Sequence, residues 1–210
     1  MSALARMPAT ARDAIVAAST VVSHRSRTSV VRFGETERII LVVRGLIRVY
    51  RTTVDGRELT VAWAGPGVIA GFAAMLLPPS HFSAQPVTDA VILDLPPSLV
   101  RDRAKAEAAV AWVIAEEVAF WLQKAVAEMV LYAYGDLRSR VSQRLLELAC
   151  KAPADGPLIA QLTQDDLALA VGATRPAVAR VLKELRDAGS VRSMYGGVLI
   201  QRPEALAKQI

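Results

Sequence analysis

The chain is poor in the residues from which catalytic and metal centres are built. Its 210 residues include one cysteine, Cys150, and two histidines, His24 and His81. A single cysteine excludes an intrachain disulfide and any cysteine-built metal or iron–sulfur cluster within one chain. Cys150 reads instead as small buried filler on a helix face. Two distant histidines do not form the His and carboxylate cluster that a cupin-like metal enzyme needs, so no catalytic residues, no metal site and no enzyme are expected. Aromatics make up only 5% of the chain, whereas hydrophobic residues make up 53%, ample for a core. Long apolar runs are missing too. The most apolar stretch, Ala108 to Trp121, is broken by Glu116 and Glu117, and is no membrane span. The N-terminus shows no apolar segment closed by a small-residue cleavage site, so a cytoplasmic location is expected. Internal repeats and low-complexity tracts are absent from the sequence.

What the chain does have is positive charge and a patterned C-terminal third. Net charge is +5 and the isoelectric point is near 9.7. From Gly135 onward there are 11 Lys and Arg against 8 Asp and Glu, a modest bias that suits a DNA-binding end. Within it, Leu162 to Gly189 (LTQDDLALAVGATRPAVARVLKELRDAG) reads as a short helix, a tight turn and a second helix. Leu167 and Ala168 face inward, Gly172 falls where the turn needs a positive φ, and Val178, Val181 and Leu182 return one face to the first helix. These offsets are those of a helix-turn-helix, whose second helix enters the major groove. Thr163 and Asp166 form a capping-box pattern with Asp in place of Glu or Gln. Thr174 is expected to cap the second helix, with Pro176 in its first turn. Arg175, Ala179, Arg180, Lys183 and Arg186 lie outward. Arginines there can reach guanine edges or phosphates, and small Ala179 lets the helix sit deep. The plainer alternative is a solvated basic face on an ordinary helical hairpin.

At 210 residues the chain suits one large domain or two small ones. Residues 1 to about 22 read as a loose start and an amphipathic helix opened by Pro8, with Ile15, Val16, Val21 and Val22 on its apolar side. Short strands then follow: Val30, Val31 and Phe33, next Ile39–Val43, and a hairpin whose arms alternate around Asp55-Gly56. Gly65-Pro66-Gly67 breaks the chain. Val68–Gly71, a short apolar turn from Phe72 to Leu77, and strands over Phe82–Val87 and Ala90–Leu95 complete a small antiparallel barrel or jelly roll. From about Ser98 to Tyr134 the period is helical. Ile114, Val118, Trp121, Ala125, Met129 and Tyr132 form one stripe, and Val110, Val113, Phe120, Ala127 and Leu131 a second. Two apolar faces call for two partners, the β domain and the same helix of a second chain, unless both are buried within one monomer. Ile114, Val118, Trp121, Ala125 and Met129 are the expected dimer interface. Leu137–Lys151 reads as another helix. After Gly189, Val191–Met194 and Val198–Ile200 flank Tyr195-Gly196-Gly197 as a two-stranded wing, placing Arg192 and Tyr195 against the DNA backbone.

This order of parts resembles the Crp/Fnr family of bacterial transcription regulators over nearly the whole chain. The likeness is strongest in Asp136–Val141 with Leu145–Ala149 and in Leu162–Gly189. It is weaker but ordered in Phe33-Gly34-Glu35, Val43-Arg44-Gly45, Asp55–Glu58 and Gly65–Gly71. The resemblance implies an α+β fold: a β-roll over 1–97, a long dimerisation helix over 98–134 and a winged helix-turn-helix over 135–210. It implies base and phosphate contacts from Arg175 and Arg180, a capping hydroxyl at Thr174 and a backbone contact from Lys183; Gln164 is read here as a further phosphate contact. Many members carry a Glu after the first arginine to accept from cytosine N4; Pro176 has no acceptor, so the target sequence does not carry over. RNA polymerase is an implied partner, through the Ala152–Gly156 loop.

A second departure concerns the effector. Cyclic-nucleotide binders hold the phosphate with a Glu after a Gly and with an Arg-Ser pair. Here the matching positions are Gly71-Phe72 and Phe82-Ser83, and Ala125-Val126 offer no hydroxyl to the base. A buried cyclic phosphate without a guanidinium is disfavoured, so cyclic AMP is not expected as the effector. An apolar effector, haem with His81 as ligand, or a simply filled roll remain open. The expected function is a homodimeric, sequence-specific regulator on palindromic double-stranded DNA. Its rival is a protein-interaction module whose winged helix binds no DNA.

Overall fold

The computed structural model describes residues 2–26, 31–32, 37–56, 58–78, 81–151 and 156–210. Phe33-Gly34-Glu35, Arg57 and residues 152–155 of the expected polymerase-facing loop lie outside these. The chain forms two compact units, one ending at Ala125 and one running Val126–Ile210.

The first unit opens with α1 (Ala3–Arg6) and α2 (Ala9–Ala17). Then come β1 (Thr20–His24), β2 (Val31–Arg32), β3 (Ile39–Arg44), β4 (Ile47–Thr52), β5 (Glu58–Ala64) and β6 (Ile69–Ala70). It continues with α3 (Phe72–Leu76), β7 (Ser83–Pro86), β8 (Ala90–Leu95), α4 (Pro97–Ala106) and the start of α5 (Ala108–Tyr134). Two antiparallel sheets result, ordered β1-β8-β3-β6 and β2-β7-β4-β5. Side chains alternate across each strand, and this period sorts the core. Ile40 and Val42 of β3 meet Ile47 and Val49 of β4, together with Ile92 and Ala64, Ala70, Ala74, Ala84 and Ala90, between the sheets. Their neighbours Ile39, Leu41, Leu93 and Leu95 turn the other way. They pack with Leu4, Met7, Ile15, Phe72, Met75, Val100, Val110, Val113 and Ile114 from the helices. The Asp55-Gly56 turn is present: the Gly56 N–H donates to Thr53 O at 2.9 Å, and β4 pairs with β5 through a bulge at Val49/Tyr50.

Three segments differ from their sequence reading. Val21 and Val22 are not helical; the helix ends at Ala17, and both β-branched residues pair with Leu93 and Ile92 of β8. The helical stretch from Ser98 is two helices, broken at Glu107, whose φ of −126° and ψ of 106° are extended. Val100 and Val110 would lie about 15 Å apart on a straight helix; the break lets α4 and α5 each reach the shared core. The third segment, Leu137–Lys151, is discussed with the second unit.

That unit holds the end of α5, then α6 (Leu137–Leu148), β9 (Ala149–Lys151), β10 (Leu158–Ala160), α7 (Gln164–Val171) and α8 (Arg175–Asp187). β11 (Val191–Met194), β12 (Gly197–Ile200) and α9 (Pro203–Ala207) complete it. The helix expected to reach Lys151 stops at Leu148, because Ala149–Lys151 pairs with β10. Cys150 therefore stands on a strand and not on a helix face. Between α5 and α6, a Cβ on Gly135 would lie 2.6 Å from both Cδ1 and O of Leu131, so only glycine fits the bend. Asp136 caps α6, accepting from Ser139 N at 2.7 Å and Ser139 Oγ at 2.8 Å. Those bonds hold its carboxyl below the usual range. No helix among the described residues is long and apolar enough to cross a membrane.

One ion cluster ties the first unit's N-terminus to α5. Arg6 donates to Glu116 at 2.7 Å and to Glu117 at 2.8 Å, and Glu117 is only 8% exposed. Burial pushes the Glu117 carboxyl up, while Arg6 pulls it back. Arg6→Ala should lower stability by about 1–3 kcal/mol at neutral pH. The folded-state pKa of Glu117 already exceeds its unfolded value, and loss of Arg6 raises it further. The deficit should therefore shrink as pH falls through that raised value, where the folded form takes up the proton first. Urea melts at about pH 7 and about pH 5 check this; an equal deficit at both contradicts it.

Candidate nucleic-acid interface

The second unit presents α7 and α8 as two helices crossing on a shared core. Leu167, Ala168 and Val171 of α7 meet Val178, Val181, Leu182 and Leu185 of α8. The α7 start carries a complete capping box. Thr163 Oγ1 accepts from Asp166 N at 3.2 Å, and Asp166 Oδ2 accepts from Thr163 N at 3.1 Å. Aspartate thus serves where Glu or Gln is usual. Gly172 ends α7 at φ 63° and ψ 42°, the left-handed conformation that the turn requires. Thr174 stands at the N-cap of α8, but its hydroxyl makes no capping bond, contrary to expectation. A cap oxygen accepts from the second or third helical N–H; Pro176 lacks the second, and the hydroxyl does not engage the third, that of Ala177.

The inward face of α8 is fully buried, and its outward face carries the cations. Arg175, Arg180 and Lys183 are exposed and Ala179 is half-buried beside them. Arg175 Nε lies 3.6 Å from Asp165 Oδ1, with the two side chains 65% and 53% exposed. A pair that open is worth little and can exchange for another anion. Arg186 donates to Ser193 Oγ at 3.1 Å and so joins α8 to β11. On that hairpin Arg192 is exposed and Tyr195 stands fully clear at the tip. Gln164 is half-buried at the start of α7. The sequence reading missed that the wing belongs to a four-stranded sheet, β11-β12-β10-β9. The three apolar residues Leu158–Ala160 were its only signal.

It also missed a polar cluster behind the helix pair. Arg144, 7% exposed, donates twice to Glu128 at 2.8 Å and once to Glu147 at 2.7 Å. Tyr132 Oη donates to Ala170 O at 2.8 Å, and Arg140 Nη1 to Val171 O at 3.1 Å. The Arg140 guanidinium also lies 5.4 Å from the Tyr132 ring centroid. Burial pushes the Tyr132 phenol up. Arg140 and Arg144, four apart beside the inward Val141 and Leu145, were the available signal.

The residues read as an effector pocket are dispersed. Gly71 precedes α3, and a side chain there would strike the Arg38 carbonyl. Phe72, 3% exposed, points into the core shared with the helices and not between the sheets. Phe82 is 38% exposed, Ser83 is half-buried on β7, and Ala125 and Val126 are exposed on α5. His81 is exposed. The buried Arg48 faces away from the roll interior: its neighbours Ile47 and Val49 point in, while it joins Glu58 and Gln85 and lies 4.4 Å from the Tyr50 ring. Among the described residues no three of His, Cys, Asp and Glu could hold a metal ion.

The residues read as a dimer seam divide as well. Ile114 is 3% exposed and packs, with Val118, on the first unit's own core. Trp121 donates its indole N–H to Ile69 O at 3.3 Å. Met129 is 70% exposed. A different apolar set on α5 stands open, including Trp112, Leu122, Val126 and Val130, each more than half exposed.

Comparison with known proteins follows the same two units. Residues 21–106 match the cyclic nucleotide-binding domain family, and residues 139–209 match Crp-like helix-turn-helix domains. The chain is 33% identical over 175 residues to the cyclic AMP receptor protein of Thermus thermophilus, covering 83% of this chain and 79% of that protein. It is 29% identical over 172 residues to the transcriptional regulator SdrP of the same organism, covering 79% and 80%. A solved transcriptional regulator of the CRP/FNR family, also from Thermus thermophilus, superposes with a TM-score of 0.68 at 26% identity, over 90% of this chain and 97% of that one. FixK2 from Bradyrhizobium japonicum shares the fold with a TM-score of 0.78 at 23% identity, over 91% and 96%.

The unequal caps give a direct check on the local geometry. Thr163→Ala should cost about 1 kcal/mol or more, and Thr174→Ala less than about 0.5 kcal/mol. Thermal melts of the two variants compare them, and equal losses would contradict the difference in capping.

Proposed function

The chain belongs to the Crp/Fnr family of transcription regulators, and we propose that it acts as a homodimer on a palindromic site in double-stranded DNA, without cyclic AMP. The observation that carries this reading is α8, whose Val178, Val181, Leu182 and Leu185 are buried while Arg175, Arg180 and Lys183 are exposed. Such a helix fits the major groove with its cations toward base edges and phosphates. Arg175 and Arg180 carry direct readout. Gln164, Thr174, Lys183, Arg192 and Tyr195 hold the backbone, and Ala179 gives clearance. RNA polymerase is the protein partner of the DNA-bound form, and the chain works in the cytoplasm.

The dimer reading is supported by α5. Trp112, Ala115, Ala119, Leu122, Val126, Met129 and Ala133 recur at alternating steps of three and four and are all exposed. That is the spacing of a two-stranded seam. It retains Met129 from the sequence reading and leaves Ala125 at its edge, while Ile114, Val118 and Trp121 serve the chain's own core. A two-fold axis along this seam sets two α8 helices on half-sites about one DNA turn apart.

Cyclic AMP independence rests on the roll interior. The cluster between the sheets is built of alanine, valine and isoleucine, and Arg48 is committed on the opposite face. A cyclic phosphate there would be stripped of water with no cation in that cluster, among the described residues, to meet it.

In-vitro selection from random duplexes should return an inverted repeat. Arg180→Ala should then cost about 1–3 kcal/mol per half-site and relax one base position. A uniform loss across all sequences makes Arg180 a phosphate contact, and selection of no repeat defeats the reading. Calorimetric titration with cyclic AMP should give no saturable heat. Saturable binding that disappears with Phe72→Ala or Phe82→Ala would overturn the claim of independence.

A further inference from the structure

A dimer that reads two half-sites must hold its two reading helices at a fixed separation and angle. The seam on α5 supplies the axis. What fixes α8 relative to that axis lies on the same turns of α5, on another side. Tyr132 follows Met129 by three residues and precedes Ala133, both seam positions, yet it is half-buried and turned to α7. Its hydroxyl donates to Ala170 O at 2.8 Å, and Arg140 Nη1 donates to Val171 O at 3.1 Å. These carbonyls belong to the last turn of α7, where no further helical N–H is available. The ring also borders the turn itself: a Cβ on Gly172 would lie 3.5 Å from Tyr132 Cε1. Glu128, one turn earlier, binds the buried Arg144 of α6 through both oxygens. The end of α5 thus grips the turn between the two DNA-reading helices.

We propose that Tyr132, together with Arg140, is a positioning residue that sets how strictly the dimer measures the spacing between half-sites. This rests on the DNA-binding dimer reading above. Swinging α8 about α5 would break two hydrogen bonds to helix-end carbonyls and separate the ring from the turn. With the grip intact, a mis-spaced operator can engage only one half-site well. With it loosened, each α8 still reads its own half-site, and the pair accepts a wider range of spacings.

The test uses the operator that the full-length protein selects, the same operator with one base pair inserted at its centre, and a lone half-site. One inserted base pair turns a half-site by about 35° and shifts it by about 3.4 Å. Binding is measured for the wild type, Tyr132→Phe and Tyr132→Ala, with circular dichroism and sedimentation confirming folded dimers. Tyr132→Ala should reduce discrimination between the two spacings by about fivefold or more while half-site affinity stays within about twofold. Tyr132→Phe, which loses only the hydroxyl, should fall between, and it decides the matter if the alanine variant does not fold. Unchanged discrimination in Tyr132→Phe and Tyr132→Ala overturns the proposal, as does an equal loss on half-site and full site. A wild type that selects no duplex defeats the DNA-binding reading itself, and the positioning role with it.

Discussion

A helix that gives one apolar side to its own chain and leaves a second side bare has to be completed from outside. That constraint organises α5. Val110, Val113 and Ile114 are consumed in the core of the first unit, and the indole of Trp121 is anchored to a strand carbonyl. The opposite positions, from Trp112 to Ala133, have no such use. Leaving Trp112, Leu122 and Met129 in water would forfeit on the order of 1.5–3 kcal/mol for each side chain that could be buried. A second copy is the occupant whose apolar spacing matches by construction. In the proposed dimer, two-fold symmetry in the protein and in its DNA target would have a single origin.

The end proposed to face DNA is marked by a contrast in commitment. The buried arginines, Arg48 and Arg144, are bound by carboxylates and amides at several atoms. Arg180 and Lys183 stand in solvent, and Arg175 has only an open, weak pair with Asp165. Charge that folds the protein and charge left for a polyanion are thereby separated. Phosphates can recruit the second set without taking apart the first, and counterion release makes that recruitment sensitive to salt.

How much of this could be read in advance depended on how local the signal was. The helix-turn-helix, its capping box and the positive φ at Gly172 are written in adjacent residues, and so is the Asp55-Gly56 hairpin. Those features match their sequence reading closely. Val21-Val22 did not, because two β-branched residues after a helix fit either periodicity until a partner strand decides. The Thr174 cap did not form: Pro176 leaves the Ala177 N–H as the one donor a cap could use, and the hydroxyl does not take it. The seam was harder still. Stripes such as Ile114–Val118–Trp121 and Trp112–Ala115–Ala119 are both helical in period, and only the fold shows which one the chain keeps for itself. Phe72 illustrates the same limit: its neighbours in sequence suggest a pocket wall, but the local turn of α3 sends it into the helix-facing core. Hydrogen bonds from Tyr132 and Arg140 to carbonyls more than thirty residues away leave no pattern in a single sequence at all.

Gly135 is the visible bend between α5 and α6, and it invites a cut there when parts of this protein are to be recombined. The grip described above argues otherwise. A piece beginning at Asp136 would lose Glu128 from the buried Arg144, and would open the Ala170 and Val171 carbonyls by removing Tyr132 and the ring that steadies Arg140. A transferable reading head therefore begins inside a helix, well before the bend. With the proposed seam, any foreign sensor joined to it must continue that helix in phase, because such a seam fixes which residue of each turn faces the partner. Modularity here is a matter of helical phase, not of cutting at the hinge.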